Sequence, residues 1–149
     1  MADSSDVDAA LVAKLQTDAT LAALMPGGVY VDEAPAAQTQ FVIVSLVDEH
    51  DTPVFEGRAS EDAVYLVKAV ERKPATGSGN IKAAAARIDT LLDPQPPLPR
   101  ATLAIAGYSF QLMRRVERVR MTEVDDVDSS IRWWHRGGRY EVKVAPIET

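Results

Sequence analysis

Two adjacent glycines, Gly137 and Gly138, interrupt an otherwise β-patterned stretch: Ile131-Arg132-Trp133-Trp134-His135-Arg136-Gly137-Gly138-Arg139-Tyr140-Glu141-Val142-Lys143-Val144. Glycine accepts the positive φ that a two-residue hairpin turn demands, so the pair predicts a tight hairpin. Such a turn fixes the register: Arg136 faces Arg139, His135 faces Tyr140 and Trp133 faces Val142. Alternation along each strand then gathers Ile131, Trp133, His135, Tyr140, Val142 and Val144 on one face. Arg132, Trp134, Arg136, Arg139, Glu141 and Lys143 share the other. On this reading Trp133 belongs to the core. Trp134 stands among charges, the composition of a protein–protein contact anchor. A loop covering Trp134 explains the same pattern.

The remainder of the chain alternates helical and strand periodicity. Val7, Leu11 and Leu15 recur at helical spacing and predict a helix over residues 6–16. Asp18 restarts a short helical stretch with Leu21, Leu24 and Met25, ended by Pro26-Gly27-Gly28. Val29–Val31 reads as a short strand, and Phe41–Val47 as a strand buried on both faces. Residues 48–62 form an acidic projecting loop or arm between Phe41–Val47 and a partner strand at Ala63–Glu71. A second helix is expected at 80–92, capped by Ser78, with Ile81, Ala84, Ala85, Ile88, Leu91 and Leu92 on its buried stripe. The proline-rich run Asp93–Pro99 stops it. Thr102–Ala106 and Tyr108–Arg120 are expected strands, broken or bulged at Gly107. Tyr108, Phe110, Leu112 and Val116 point inward, and Arg115 and Glu117 outward. The acidic turn Glu123–Ser130 leads into the closing hairpin. This order predicts a single α+β domain over residues 1–149, a mostly antiparallel sheet with two helices on one face and a long hairpin loop at 48–62.

At 149 residues the chain can bury a core without staples, and it has no cysteine for a disulfide or a thiolate metal site. The acidic start Met1-Ala2-Asp3-Ser4-Ser5-Asp6 does not suit a signal peptide, and no apolar run approaches a membrane span. A soluble intracellular product is the expectation. The net charge of −6 divides unevenly, with −10 on residues 1–62 and +4 on residues 63–149. That polarity suits docking between copies or onto a charged partner, or is fully solvated. It does not suit tight binding to duplex DNA.

No constellation argues for catalysis. Asp48-Glu49-His50-Asp51 carries metal-ligand residue types, but neighbours on an extended segment diverge and the only other histidine is His135. Gly77-Ser78-Gly79 lacks the following Gly-Lys-Ser/Thr of a phosphate loop. The serines have no nucleophile-elbow context. Arg114-Arg115-Val116-Glu117-Arg118-Val119-Arg120 reads as a bulged or edge strand. Its charges either block edge pairing or join Arg132, Arg136 and Trp134 in a contact surface.

From about Ala10 to Val144 the chain resembles the tail-terminator (tail-completion) family of long-tailed bacteriophages and gene-transfer particles. The resemblance lies in the order and spacing of Leu11-Val12-Ala13-Lys14-Leu15-Gln16-Thr17-Asp18, Leu21 and Leu24, Val29-Tyr30-Val31, and the Phe41–Val47 strand. It continues through the 80–92 helix ending in Leu91-Leu92, the Arg-rich strand and the close Trp134–Val144. Trp133-Trp134 and the acidic 48–62 segment are not features of the family generally. The resemblance implies a non-enzymatic virion protein without cofactor or metal. It implies a homo-oligomeric, hexameric ring at the tail–neck junction, present in the host cytoplasm during assembly. Its partners are further copies of itself, the tail tube protein and the neck or head–tail connector protein. DNA passes through its lumen without specific binding, and no membrane is involved. The expected interface residues are Phe55, Glu56, Arg58, Arg115, Arg118, Arg120, Arg132, Trp134, Arg136 and Arg139. The alternatives are another neck or connector ring subunit and a small metal-dependent hydrolase built on His50.

Overall fold

The computed structural model describes residues 4–54, 57–73 and 79–147. The elements are α1 (Ser4–Gln16), α2 (Ala19–Leu24), β1 (Val29–Val31), β2 (Gln40–Val54), β3 (Gly57–Arg72), α3 (Ile81–Leu92), β4 (Tyr108–Val124) and β5 (Arg132–Pro146). They form the expected α+β architecture, a five-stranded sheet in the order β1-β2-β3-β5-β4. Every pairing is antiparallel except β1 with β2. No helix among the described residues is long and apolar enough to cross a membrane.

Helical periodicity reads through directly. Val7, Leu11 and Leu15 of α1, Leu21 and Met25 in and after α2, and Ile81, Ala84, Ile88 and Leu92 of α3 are all buried. They meet Val42, Val44, Tyr65, Val67, Ala69, Met113, Tyr140, Val142 and Val144 on one face of the sheet. Polar clamps fix the helices. The buried Tyr65 hydroxyl donates to Asp8 of α1 at 2.5 Å, and that of Tyr140 to Asp89 of α3 at 3.0 Å. Asp18 caps α2 through Leu21 N (2.8 Å) and also accepts two hydrogen bonds from Arg87 of α3.

The cap of α3 comes from across the fold. Asn80 occupies the N-cap position without a side-chain cap bond. Instead the buried carboxylate of Glu71 accepts from Asn80 N (3.2 Å to each oxygen), from Ile81 N (3.1 Å) and from Gln40 Nε2 (2.6 Å). Ser78, the expected cap, lies outside the described residues. Gly79 has φ +61°, and a Cβ there collides with the Glu71 carboxylate. The helix terminus that faintly resembles an anion cradle therefore already holds an anion.

The glycine pair does not turn the chain. Gly137 and Gly138 lie inside the continuous strand β5, opposite Lys68 and Val67 of β3 and Val119 and Arg118 of β4. Among the described residues the positive-φ glycines are Gly28, Gly79 and Gly107, and neither Gly137 nor Gly138 is one of them. They are needed because backbone comes close: a Cβ on Gly137 runs into Val67 O and sits 2.5 Å from Lys68 Cα. The hairpin is formed instead by β4 and β5 around the acidic turn that follows Val124. The consequence is an exchange of faces. Without a turn the parity runs unbroken, so Trp134 and Arg136 share the helix-covered face with Tyr140, Val142 and Val144. Ile131 precedes the strand, and Trp133 and His135 face the opposite, open side with Arg139, Glu141 and Lys143.

Other boundaries shift for similar reasons. The 48–62 loop is a strand pair, with the ladder reaching Val54↔Gly57 after an irregularity between Leu46 and Asp48. β1 partners β2 only as far as Val44 and β5 partners β3 only as far as Glu61, so from Leu46 β2 runs on as the open-edged strand of a β2–β3 arm that becomes two-stranded past Asp51↔Glu61. Burial on both faces holds for Val42, Ile43 and Val44, but Leu46 and Val47 are exposed. Thr102–Ala106 alternates in burial, with Leu103 and Ile105 buried, yet joins no ladder and runs into a turn at Ala106. Any extended chain laid on an apolar surface shows that alternation. In β4 a bulge between Phe110 and Leu112 brings Met113 inward, and Val116, expected inside, is exposed.

Candidate functional site

The sheet ends differently at its two extremes, and the candidate surface follows from that difference. At the end where β5 begins, β4 and β5 run past the first turn of α3. After a second irregularity between Arg115 and Glu117, Arg118 pairs with Gly138, Arg120 with Arg136 and Thr122 with Trp134. Partners in an antiparallel ladder share a face, so Arg118, Arg120 and Arg136 all point to the helix side. Lys82 and the small Ala85 and Ala86 of α3 form the opposite wall. The result is two adjoining clefts of about 280 and 470 Å³ that share Lys82, Arg120 and Arg136. Trp134 floors the first and Tyr140 the second.

Charge in this groove is unbalanced. Among the described residues, Lys82, Arg118, Arg120 and Arg136 have no ion pair and no side-chain hydrogen bond. The indole of Trp134 is half-buried against the core, with Lys73 Nζ 6.0 Å from its ring centroid. Four cations beside an aromatic floor form a surface that attracts carboxylates or phosphates.

The other expected arginines are engaged locally. Arg115, expected outward, is turned toward α3 by the Phe110–Leu112 bulge and pairs with Asp89 at 2.8 Å. Arg132 donates to the carbonyl of Ser129 and holds the acidic turn. Arg139 lies on the open face and pairs with Glu117 at 3.1 Å. Phe55, Glu56 and the side chain of Arg58 lie outside the described residues. Among the described residues, the expected contact residues thus do not all share one face. Arg118, Arg120, Trp134 and Arg136 converge, joined by Lys82 of α3.

The arm carries the opposite charge. Asp48, Glu49 and Asp51 are exposed on β2, beside exposed Leu46 and Val47. His50 lies 3.7 Å from Asp48 and 3.6 Å from Asp62, contacts between ionisable groups along and across the ladder. Among the described residues no three His, Cys, Asp or Glu side chains are placed to hold a metal ion. His135 is not the satisfied core histidine expected of it. It is buried on the open face, near Glu123 (2.9 Å) but with neither ring nitrogen in hydrogen-bonding alignment. Burial, reinforced by the nearby Lys68 charge, pushes its pKa down, against the opposing pull of Glu123. Trp133 packs on Phe41 with ring centroids 6.2 Å apart and donates its indole N–H to Asp125 at 3.0 Å.

The sequence matches no protein-family model and no curated protein. Among solved structures it is similar to a chain of the virion of a native gene transfer agent (GTA) particle. The TM-score is 0.58 at 24% identity, over 94% of this chain and 96% of that one. At that identity the likeness establishes a shared fold over nearly the full length of both chains.

Proposed function

We propose that this chain is a structural virion protein, a non-enzymatic subunit of a hexameric ring that caps the tail tube, ends its growth and presents the docking surface for the neck. The observation that carries this reading is the end-to-end likeness of fold to a chain of a gene transfer agent virion. Coverage of both chains from end to end argues for equivalent whole subunits rather than a shared module. The family resemblance of the sequence narrows the place to the tail–neck junction.

A ring subunit needs two complementary flanks that differ from each other, because a head-to-tail contact repeats until rotation closes it. The acidic arm and the basic groove supply two such flanks. The protomer exposes 8855 Å². Two neighbours at about 800 Å² each would cover slightly under a fifth of that, an ordinary load for a stable assembly. The net charge of −6 also suits a lumen that passes DNA without holding it.

Solution mass of the full chain, with electron microscopy of tails carrying it, tests the reading. A sixfold ring seated at the end of the tube supports it, and a strict monomer absent from particles refutes it. A second reading in the same particle is a neck or connector ring, favoured because the virion likeness does not specify a position within the particle. Density lying between the tube end and the connector assigns the terminator, and density within the connector assigns the neck.

A further inference from the structure

The basic groove and the acidic arm sit at opposite ends of the same strands. Arg136, in the groove, lies opposite Ala69 of β3, whereas the arm's ladder ends at Gly57 of that strand. Twelve residues of strand separate Ala69 from that end, about 40 Å at ~3.3 Å per residue, and Asp48 to Asp51, paired with Val64 to Glu61, lie about 16–26 Å along the strands from Ala69. The arm therefore cannot fold back onto its own groove, and each protomer offers an acidic projection at one end and a basic recess at the other.

We infer that the groove between α3 and the β4–β5 end, lined by Lys82, Arg118, Arg120, Trp134 and Arg136, receives the acidic β2–β3 arm of a neighbouring copy. Three observations choose this occupant. Asp48, Glu49 and Asp51 are exposed on the arm, and the groove's cations have no carboxylate partner among the described residues. Leu46 and Val47 are 39% and 48% exposed and lie beside those acids, and the groove pairs its charge with the indole of Trp134. Exposed Glu123, Asp126 and Asp128 border the same end of the sheet. They oppose an extended polyanion such as a DNA backbone more than a short acidic strand.

The contact is heterologous, arm into groove, and so propagates in one direction around a ring. It deepens the ring assembly proposed above and rests on it.

Charge exchange in the full chain tests it. One variant reverses the groove (Arg118→Glu with Arg120→Glu) and a second reverses the arm (Asp48→Lys with Asp51→Lys). All four positions are solvent-exposed, and circular dichroism with thermal melting verifies that each variant folds. Each variant alone should lose self-association by on the order of a hundredfold in sedimentation or native mass measurement. Mixed one to one, they should recover it, because each arm then meets a groove of opposite sign. The recovered rings should alternate the two chains. Rings that persist in either variant alone, or variants that stay apart when mixed, overturn the arm-in-groove contact while leaving the ring. A wild-type chain that stays monomeric at every concentration overturns both. If instead the wild type binds a short duplex DNA and the groove variant does not, while association is unchanged, the groove belongs to nucleic acid and the inference fails.

Discussion

Replacing Glu71 with alanine should destabilise the fold far more than its place near the end of a strand suggests. Its carboxylate satisfies the backbone N–H groups of Asn80 and Ile81 and the amide of Gln40. Ile81 is only 4% exposed, so water cannot readily replace the lost acceptor. Each buried donor left unsatisfied costs about 1–3 kcal/mol. Loss of a negative charge from a helix N-terminus adds about 0.3–1 kcal/mol. Together these predict a loss of about 3–5 kcal/mol for Glu71→Ala, a large share of the roughly 5–15 kcal/mol that holds a domain together. Glu71→Gln keeps the volume and one acceptor oxygen and should cost about 1–2 kcal/mol. Urea unfolding followed by circular dichroism, with m values unchanged, measures both. Because α3 carries Lys82 two residues past the N-cap Asn80, the alanine variant should also weaken self-association at temperatures where it remains folded. A Glu71→Ala loss below about 1 kcal/mol, or equal losses in the two variants, refutes the assignment of Glu71 as the cap of α3.

Gly137→Ala should cost about 3 kcal/mol in the same unfolding assay, since the added methyl meets β3 backbone that cannot swing aside; a neutral result would refute the close approach of β3 backbone at Gly137. The guanidinium of Arg87 beside Asp18 holds that carboxyl below its ordinary 3.8. The folded value is thus below the unfolded one, so the pair contributes stability above pH 3.8 that is lost as pH falls through the lowered folded value. Unfolding free energies measured across the acid range should show this loss in the wild type, and Arg87→Ala should flatten it. Trp133→Phe should cost about 1–2 kcal/mol by removing the Asp125 bond and shrinking the contact with Phe41, read from the urea midpoint.

The helices and most strands were legible because one-sided burial leaves a period in the sequence. Leu11, Leu15, Ile81 and Ile88 announce their faces before any coordinate is known. Gly137-Gly138 misled because adjacent glycines serve two needs, positive φ and close backbone approach, and only the neighbouring strand decides between them. One wrong turn exchanged the faces of Trp133 and Trp134 while leaving Tyr140, Val142 and Val144 correctly inward, since a two-residue turn changes parity on one side only. The bulge between Phe110 and Leu112 hid the fate of Arg115 in the same way. Lys82 and Arg118 are separated by most of α3, the proline connector and half of β4. No local pattern links them, and only the packing of α3 on the sheet brings them to one groove. Glu71 was unreadable for the same reason: the cap it provides lies across a connection rather than one helical turn away.

The proposed assembly requires copies of this chain to close a ring at the end of a tail tube. Averaged electron micrographs of tails assembled with the tagged full-length protein test it most directly. A single sixfold ring at the head-proximal end is expected, with tubes of uncontrolled length when the protein is withheld. Tails of normal length without this chain at their ends would contradict it.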